Sequence, residues 1–170
     1  MTKKIVVFVE EMYEDLELWY PKIRLEEAGF QVIVAGPNAA QIYKGKHGYP
    51  CKADITFKEA VATQFSGVVI PGGFAPDKWR RVPEVLKIVK DAFDNSKMVA
   101  FICHGGWVPI SAKILKGKKV TGTIAIKDDL ENAGAIWKDE AVVVDGHLIS
   151  SRTPADLPAF ARGMLAFLQK

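Results

Sequence analysis

Cysteine, histidine and one-sided charge are all scarce in this chain of 170 residues. It has two cysteines and three histidines, and Lys+Arg exceed Asp+Glu by only 23 to 20. Two cysteines, Cys51 and Cys103, cannot build the disulfide framework of a small secreted domain. Whether they could pair with each other is a matter of geometry that spacing does not decide. So small a basic surplus, with the signs interspersed, lacks the stripe or cluster that a nucleic-acid partner requires. The one dense basic spot, Lys116-Gly117-Lys118-Lys119, reads as a solvated loop. No window approaches the roughly 20 apolar residues of a membrane span. The first apolar run, Ile5–Val9, ends at Glu10-Glu11, short of the ~7–15 residues of a signal-peptide core, so a soluble, cytoplasmic protein is expected. There is no GxGxxG fingerprint, no phosphate-binding loop and no cluster with metal-ligand spacing, so neither a cofactor nor a metal is expected.

What is present is alternation. Ile5–Val9 is a β-branched run suited to a strand buried on both faces. Asp15 stands as a cap for a helix carrying Leu16, Trp19, Ile23 and Leu25, with Gly29 as its stop; Pro21 predicts a kink or a late start. Phe30–Ala35 is a second strand. Gly45, Gly48 and Pro50 break the stretch from Gln41 to Phe57 into short pieces, which predicts a hairpin or small accessory strands. Gly67–Ile70 and Met98–Ile102 are further buried strands, with a helix from about Pro83 between them and another over Trp107–Leu115. Asp145-Gly146 is a hairpin turn between Val142–Val144 and Leu148–Ser150. Leu157, Phe160, Ala161, Met164, Leu165 and Leu168 form the core-facing stripe of a last helix. Without linker or repeat, residues 1–170 read as a single domain. Its expected class is α/β, a three-layer α/β/α sandwich around a mainly parallel sheet. Ligands in such sheets bind beyond the carboxyl ends of the strands, which points to Glu10–Asp15, Pro71–Asp77 and Cys103–Trp107.

Cys103-His104-Gly105-Gly106 follows a buried strand and opens a helix, the setting of a nucleophile elbow. The unpaired N–H groups of a helix start stabilise a thiolate, so a lowered thiol pKa is expected. Pro71-Gly72-Gly73 ends the neighbouring strand, and its N–H groups, with that of His104, are candidate oxyanion donors. Glu10, Glu11, Glu14, Asp15 and Glu17 crowd the first loop; one of them in reach of the thiol would be pushed toward protonation. Composition leaves open which.

These segments together resemble the PfpI-type members of the ThiJ/PfpI superfamily, within the class I glutamine-amidotransferase-like folds. The matching stretches are Tyr13–Glu17, Pro71–Gly73 with Ala75–Asp77, Ile102–Gly105, Ile126–Asp129, and Val144–Gly146 through Ser151–Pro154. The resemblance implies a flavodoxin-like fold with Cys103 as nucleophile, His104 as its catalytic neighbour, and Glu14 as the acid that hydrogen-bonds the cysteine. It also implies a triad acid, Asp77, supplied by a neighbouring subunit, and therefore a homodimer or a hexamer of dimers. Gly106 departs from a proline common after His-Gly, Thr123 from a tyrosine, His147 from an asparagine and Trp79 from a leucine, the last assigned to the interface. His47 and Cys51 match no catalytic motif. The late His-x-Glu of true amidotransferases is missing from Ser151–Asp156.

The function implied is a cysteine-dependent enzyme of glyoxalase or deglycase type, acting on small reactive carbonyls. The alternatives are an intracellular cysteine peptidase and a non-enzymatic, redox-sensing stress protein or chaperone whose cysteine is oxidised to a sulfinate.

Overall fold

A computed structural model describes residues 2–170. The chain runs β1 (Lys4–Phe8), α1 (Asp15–Glu27), β2 (Gln31–Gly36), β3 (Ile42–Lys44), β4 (Pro50–Lys52), β5 (Ile55–Thr56), β6 (Gly67–Ile70), α2 (Ala75–Trp79), α3 (Pro83–Asp94) and β7 (Met98–Ile102). It continues through α4 (Trp107–Ser111), β8 (Lys119–Val120), α5 (Lys127–Asn132), β9 (Ile136–Trp137), β10 (Val142–Asp145), β11 (Leu148–Ser151) and α6 (Leu157–Leu168). The main sheet has the order β10-β11-β7-β6-β1-β2-β5, and every pair in it is parallel except the β10–β11 hairpin. Its central strands are buried along both faces, as continuous Val/Ile-rich runs demand. Helices cover the sheet to give three layers, with α1 packed beside α6 and α3 beside α4.

Four local departures have physical reasons. α1 passes through Pro21 without ending, because a proline in its second turn removes only one backbone bond. Asp15 does not cap it: Glu14 holds the cap position, and the Asp15 carboxylate turns to the β3–β4 hairpin instead. The helix at Trp107 stops at Ser111 rather than Leu115, where Lys113 adopts a left-handed backbone. Trp79, assigned from sequence to an interface, is fully buried and meets the Phe8 ring edge-on at 5.9 Å.

The topology fixes where chemistry can occur. β1 lies between β2 and β6, so the loops leaving β1 and β6 depart around one crevice at the carboxyl end of the sheet. An isolated antiparallel bridge between Tyr13 and Gly73 stitches those loops together, and the β7 loop carrying Cys103 emerges next to them.

Candidate active site

Cys103 sits at the turn from β7 into a short helical turn, Cys103–Gly106, that leads to α4. Its φ is +58°, a left-handed conformation that strains any residue with a Cβ and marks a nucleophile elbow. The sulfur is mostly buried, and the His104 Nδ1 lies 3.4 Å from it. Adjacent residues of a tight turn thus come into contact here. The His104 backbone N–H also points at the sulfur. On its other side the imidazole meets Trp107 edge-on at 5.1 Å. Burial, helped by the positive charge of Lys46, lowers the pKa of His104, which leaves the ring neutral and basic at pH 7.

The acid that reaches the thiol is Glu17, one helical turn beyond Glu14, the residue expected from the resemblance. Glu17 is fully buried in the first turn of α1, and its carboxyl is in hydrogen-bonding reach of Cys103. Its Oε2 accepts the Gly72 N–H at 2.7 Å, while Oε1 is buried with no partner among the described residues. Burial pushes this carboxyl up to about 8, against a partial offset from the Gly72 N–H. An oxygen without a donor, in a group that holds its proton at neutral pH, is placed to give a hydrogen bond to sulfur. Glu14 faces away from that arrangement. Its carboxylate pairs with Lys46 Nζ at 2.9 Å and lies 3.6 Å from His47 Nε2.

The thiol itself moves opposite to expectation. Burial, then the neighbouring Glu17 carboxylate, push Cys103 up to about 12, and the His104 N–H opposes them only in part. The unpaired amides of a five-residue helix do not offset that desolvation. When Glu17 carries the proton, its repulsion of a thiolate disappears and a donor takes its place. The pair is therefore neutral at pH 7, and loss of one proton from it leaves a single negative charge, on sulfur when Glu17 keeps its own.

The oxyanion donors also differ from the expectation in one member. Gly72 N–H is taken by Glu17, so Gly73 and His104 remain. Gly73 has φ +84°, and a Cβ there would stand 2.5 Å from Glu14 N and Met12 O, so only glycine permits the close stitch to the first loop. A Cβ on Gly72 would lie 2.4 Å from Glu17 Oε2 and 2.8 Å from Cys103 Cβ. Bare backbone at these two positions is what lets the acid, the thiol and the amide converge.

The 45–49 turn is latched by Asp15. Both of its carboxylate oxygens accept backbone N–H groups, from Tyr49 at 2.8 Å and His47 at 2.9 Å. Tyr13 adds a hydroxyl bond to Tyr49 O at 2.6 Å. Ligand atoms of Glu14, Asp15 and His47 lie within 4.8 Å of one another. Both carboxylates are engaged, one by Lys46 and one by the turn amides, which leaves no open cation site. Asp77 is exposed at the start of α2 and pairs with Arg81 at 2.8 Å; within one chain it makes no ion pair with His104. Cys51 is buried on β4, and burial pushes its thiol up to about 11, as suits an inert packing residue. His147 is half-buried, 4.7 Å from the Phe93 ring, on the β10–β11 turn.

Comparison with known proteins agrees with this fold. The DJ-1/PfpI family model matches residues 3–166. Deglycase PfpI of Pyrococcus furiosus is 44% identical over 166 residues, covering 98% of this chain and 99% of that protein. Deglycase TK1284 of Thermococcus kodakarensis is 44% identical with the same coverage. Among solved structures, a two-domain protein of Anabaena variabilis with DJ-1/ThiJ/PfpI-like and ferritin-like domains superposes with a TM-score of 0.97 at 47% identity. It covers 99% of this chain, which spans about half (48%) of that longer one. DJ-1beta of Drosophila melanogaster follows the same fold, with a TM-score of 0.90 at 27% identity over 100% of this chain and 92% of its own. No helix of the described residues is long and apolar enough to cross a membrane. The chain belongs to the DJ-1/PfpI family.

Proposed function

We propose that this protein is a cysteine-dependent enzyme acting on small reactive carbonyls, of the glyoxalase or deglycase kind. The observation that carries the reading is the buried Glu17 carboxyl, in hydrogen-bonding reach of the Cys103 sulfur and set beside the Gly73 and His104 N–H groups. The burial of Glu17 and of most of Cys103 favours a compact electrophile over a polypeptide. The deglycase names of relatives at 44% identity support the same class.

With an α-oxoaldehyde, the Cys103 thiolate adds to the aldehyde carbon to form a hemithioacetal. The developing alkoxide lies toward the Gly73 and His104 N–H groups and takes the Glu17 proton. His104 then removes the C–H proton of the former aldehyde carbon and returns it to the adjacent carbon, while Glu17 takes back the hydroxyl proton and delivers it to the former ketone oxygen, giving a thioester of a 2-hydroxy acid. Water cleaves the thioester, releasing the acid and restoring the thiol. Substrate and one water are consumed, and no external oxidant enters.

Asp77 from a neighbouring subunit would orient His104 in an oligomer, which we place in the cytoplasm. Its exposure, and the absence of an acid paired with His104 among the described residues, support that arrangement. The test is turnover of methylglyoxal, a glycated peptide and a fluorogenic peptide side by side, with Cys103→Ala as the blank. Carbonyl turnover should be lost in the variant and peptide cleavage should be negligible in both. Equal turnover of methylglyoxal by the blank overturns the assignment, and peptide cleavage that needs Cys103 moves the chain to the peptidase class.

A further inference from the structure

Away from Cys103, a cleft of about 450 Å3 opens where α2, α4 and α5 end. Arg80 reaches it from the end of α2, Lys113 and Lys116 from beyond α4, and Asp129 and Asn132 from α5. Among the described residues, none of those three cations has a carboxylate at ion-pair distance. Their neighbours do: Arg81 pairs with Asp77 at 2.8 Å and Lys127 with Glu131 at 3.8 Å.

The arginine is aimed. Its Nε donates to Ser111 Oγ at 3.1 Å, and its Cζ stands 5.4 Å from the Trp107 ring centroid. Those contacts use one of the five guanidinium N–H donors and leave the two terminal amino groups without an acceptor. Asp129, the carboxylate of the cleft, accepts the Trp107 indole N–H at 2.8 Å. Three cations against one carboxylate leave two positive charges on the rim. Lys113 and Lys116 alone would be ordinary complements to the carbonyl end of α4. Arg80 belongs to a different element, and the helix dipole does not account for its convergence on the same space. A fork fixed from behind, with its donors unused, is the usual means of holding a phosphate or carboxylate by two bonds.

We propose that this cleft is a binding site for a small phosphate monoester, gripped by Arg80 and neutralised by Lys113 and Lys116. A monoester carries a charge of about −1.5 to −2 at pH 7, which matches the rim. The volume is within the roughly 300–1,000 Å3 of small-molecule sites. Trp107 touches both Arg80 and the catalytic His104, so occupancy is read one residue away from the chemistry.

The probe is glycerol 3-phosphate, titrated at constant ionic strength into the full-length protein while the Trp107 indole N–H resonance is followed, assigned by its loss in Trp107→Phe. A saturable shift is expected, with half-saturation raised about tenfold in Arg80→Gln, as loss of a bidentate charged contact implies. The double variant Lys113→Gln/Lys116→Gln changes two exposed side chains and should also weaken binding, and Cys103→Ala should bind as the native chain does. Inorganic phosphate should bind at the same site, more weakly. A linear, non-saturating shift, an equal response to sodium chloride, or unchanged half-saturation in both the arginine and the double-lysine variants would overturn the proposal.

Discussion

Replacing Glu17 by glutamine tests the central feature of the site, a buried acid that keeps its proton at neutral pH. Burial pushes the folded carboxyl up to about 8, from 4.5 for the free side chain. Between those values the folded chain holds a proton that the unfolded chain has lost, so stability falls as pH rises through the window. A full proton of difference is worth about 1.4 kcal/mol per pH unit, so from pH 4.5 to pH 7 the native protein loses roughly 3 kcal/mol through this group. Glutamine has no proton to lose. Its carbonyl can accept the Gly72 N–H, and its amino group replaces Oε1, the oxygen without a partner. Chemical denaturation of both proteins at a series of pH values isolates the effect, because every other titration cancels in the difference. The variant should gain about 3 kcal/mol on the native protein between pH 4.5 and pH 7. It should also lose on the order of 100-fold in carbonyl turnover, as a site without its proton donor does. Alkylation of Cys103 should shift to lower pH, since the negative neighbour is gone. Parallel stability curves would refute the reasoning, for they would mean that Glu17 is ionised in the native state.

Gly73→Ala forces a Cβ against the backbone of the first loop at a positive φ, and should lower stability by about 2 kcal/mol and reduce turnover. An unchanged melting temperature would contradict the stitch between the two loops. Asp15→Ala leaves the His47 and Tyr49 amides without their acceptor, at about 1 kcal/mol each, and should speed hydrogen exchange across residues 45–49. Asp15→Asn, which keeps an acceptor, should fall between the two. Cys51→Ala should leave kcat and KM unchanged while removing about 1 kcal/mol of packing, which kinetics and denaturation separate.

The strands, the helix at Pro83, the accessory hairpin and the Cys103 elbow were legible because apolar runs and glycine punctuation report backbone directly. The identity of the acid was not. Glu14 and Glu17 are three residues apart, and a period of 3.6 puts both on nearly the same side of a helix start. Which of them enters the crevice depends on where α1 begins and how it leans on β1 and β2, a tertiary quantity. Gly72 was misread for a related reason: a glycine pair announces free amides but not which one the buried acid consumes. Thiol acidity failed because the helix-terminus argument counts donors and omits burial. Trp79 read as an interface residue because its ring partner, Phe8, is distant in sequence.

The left-handed backbone of Cys103 sets folding and activity against each other at one position. At φ +58° a side chain sits about 1 kcal/mol above what glycine would tolerate there. Selection for thermal resistance alone has no reason to keep a strained thiol at this turn, and a chain that loses it is inert. A library sorted first for soluble yield and only later for turnover would discard its best catalysts in the first round.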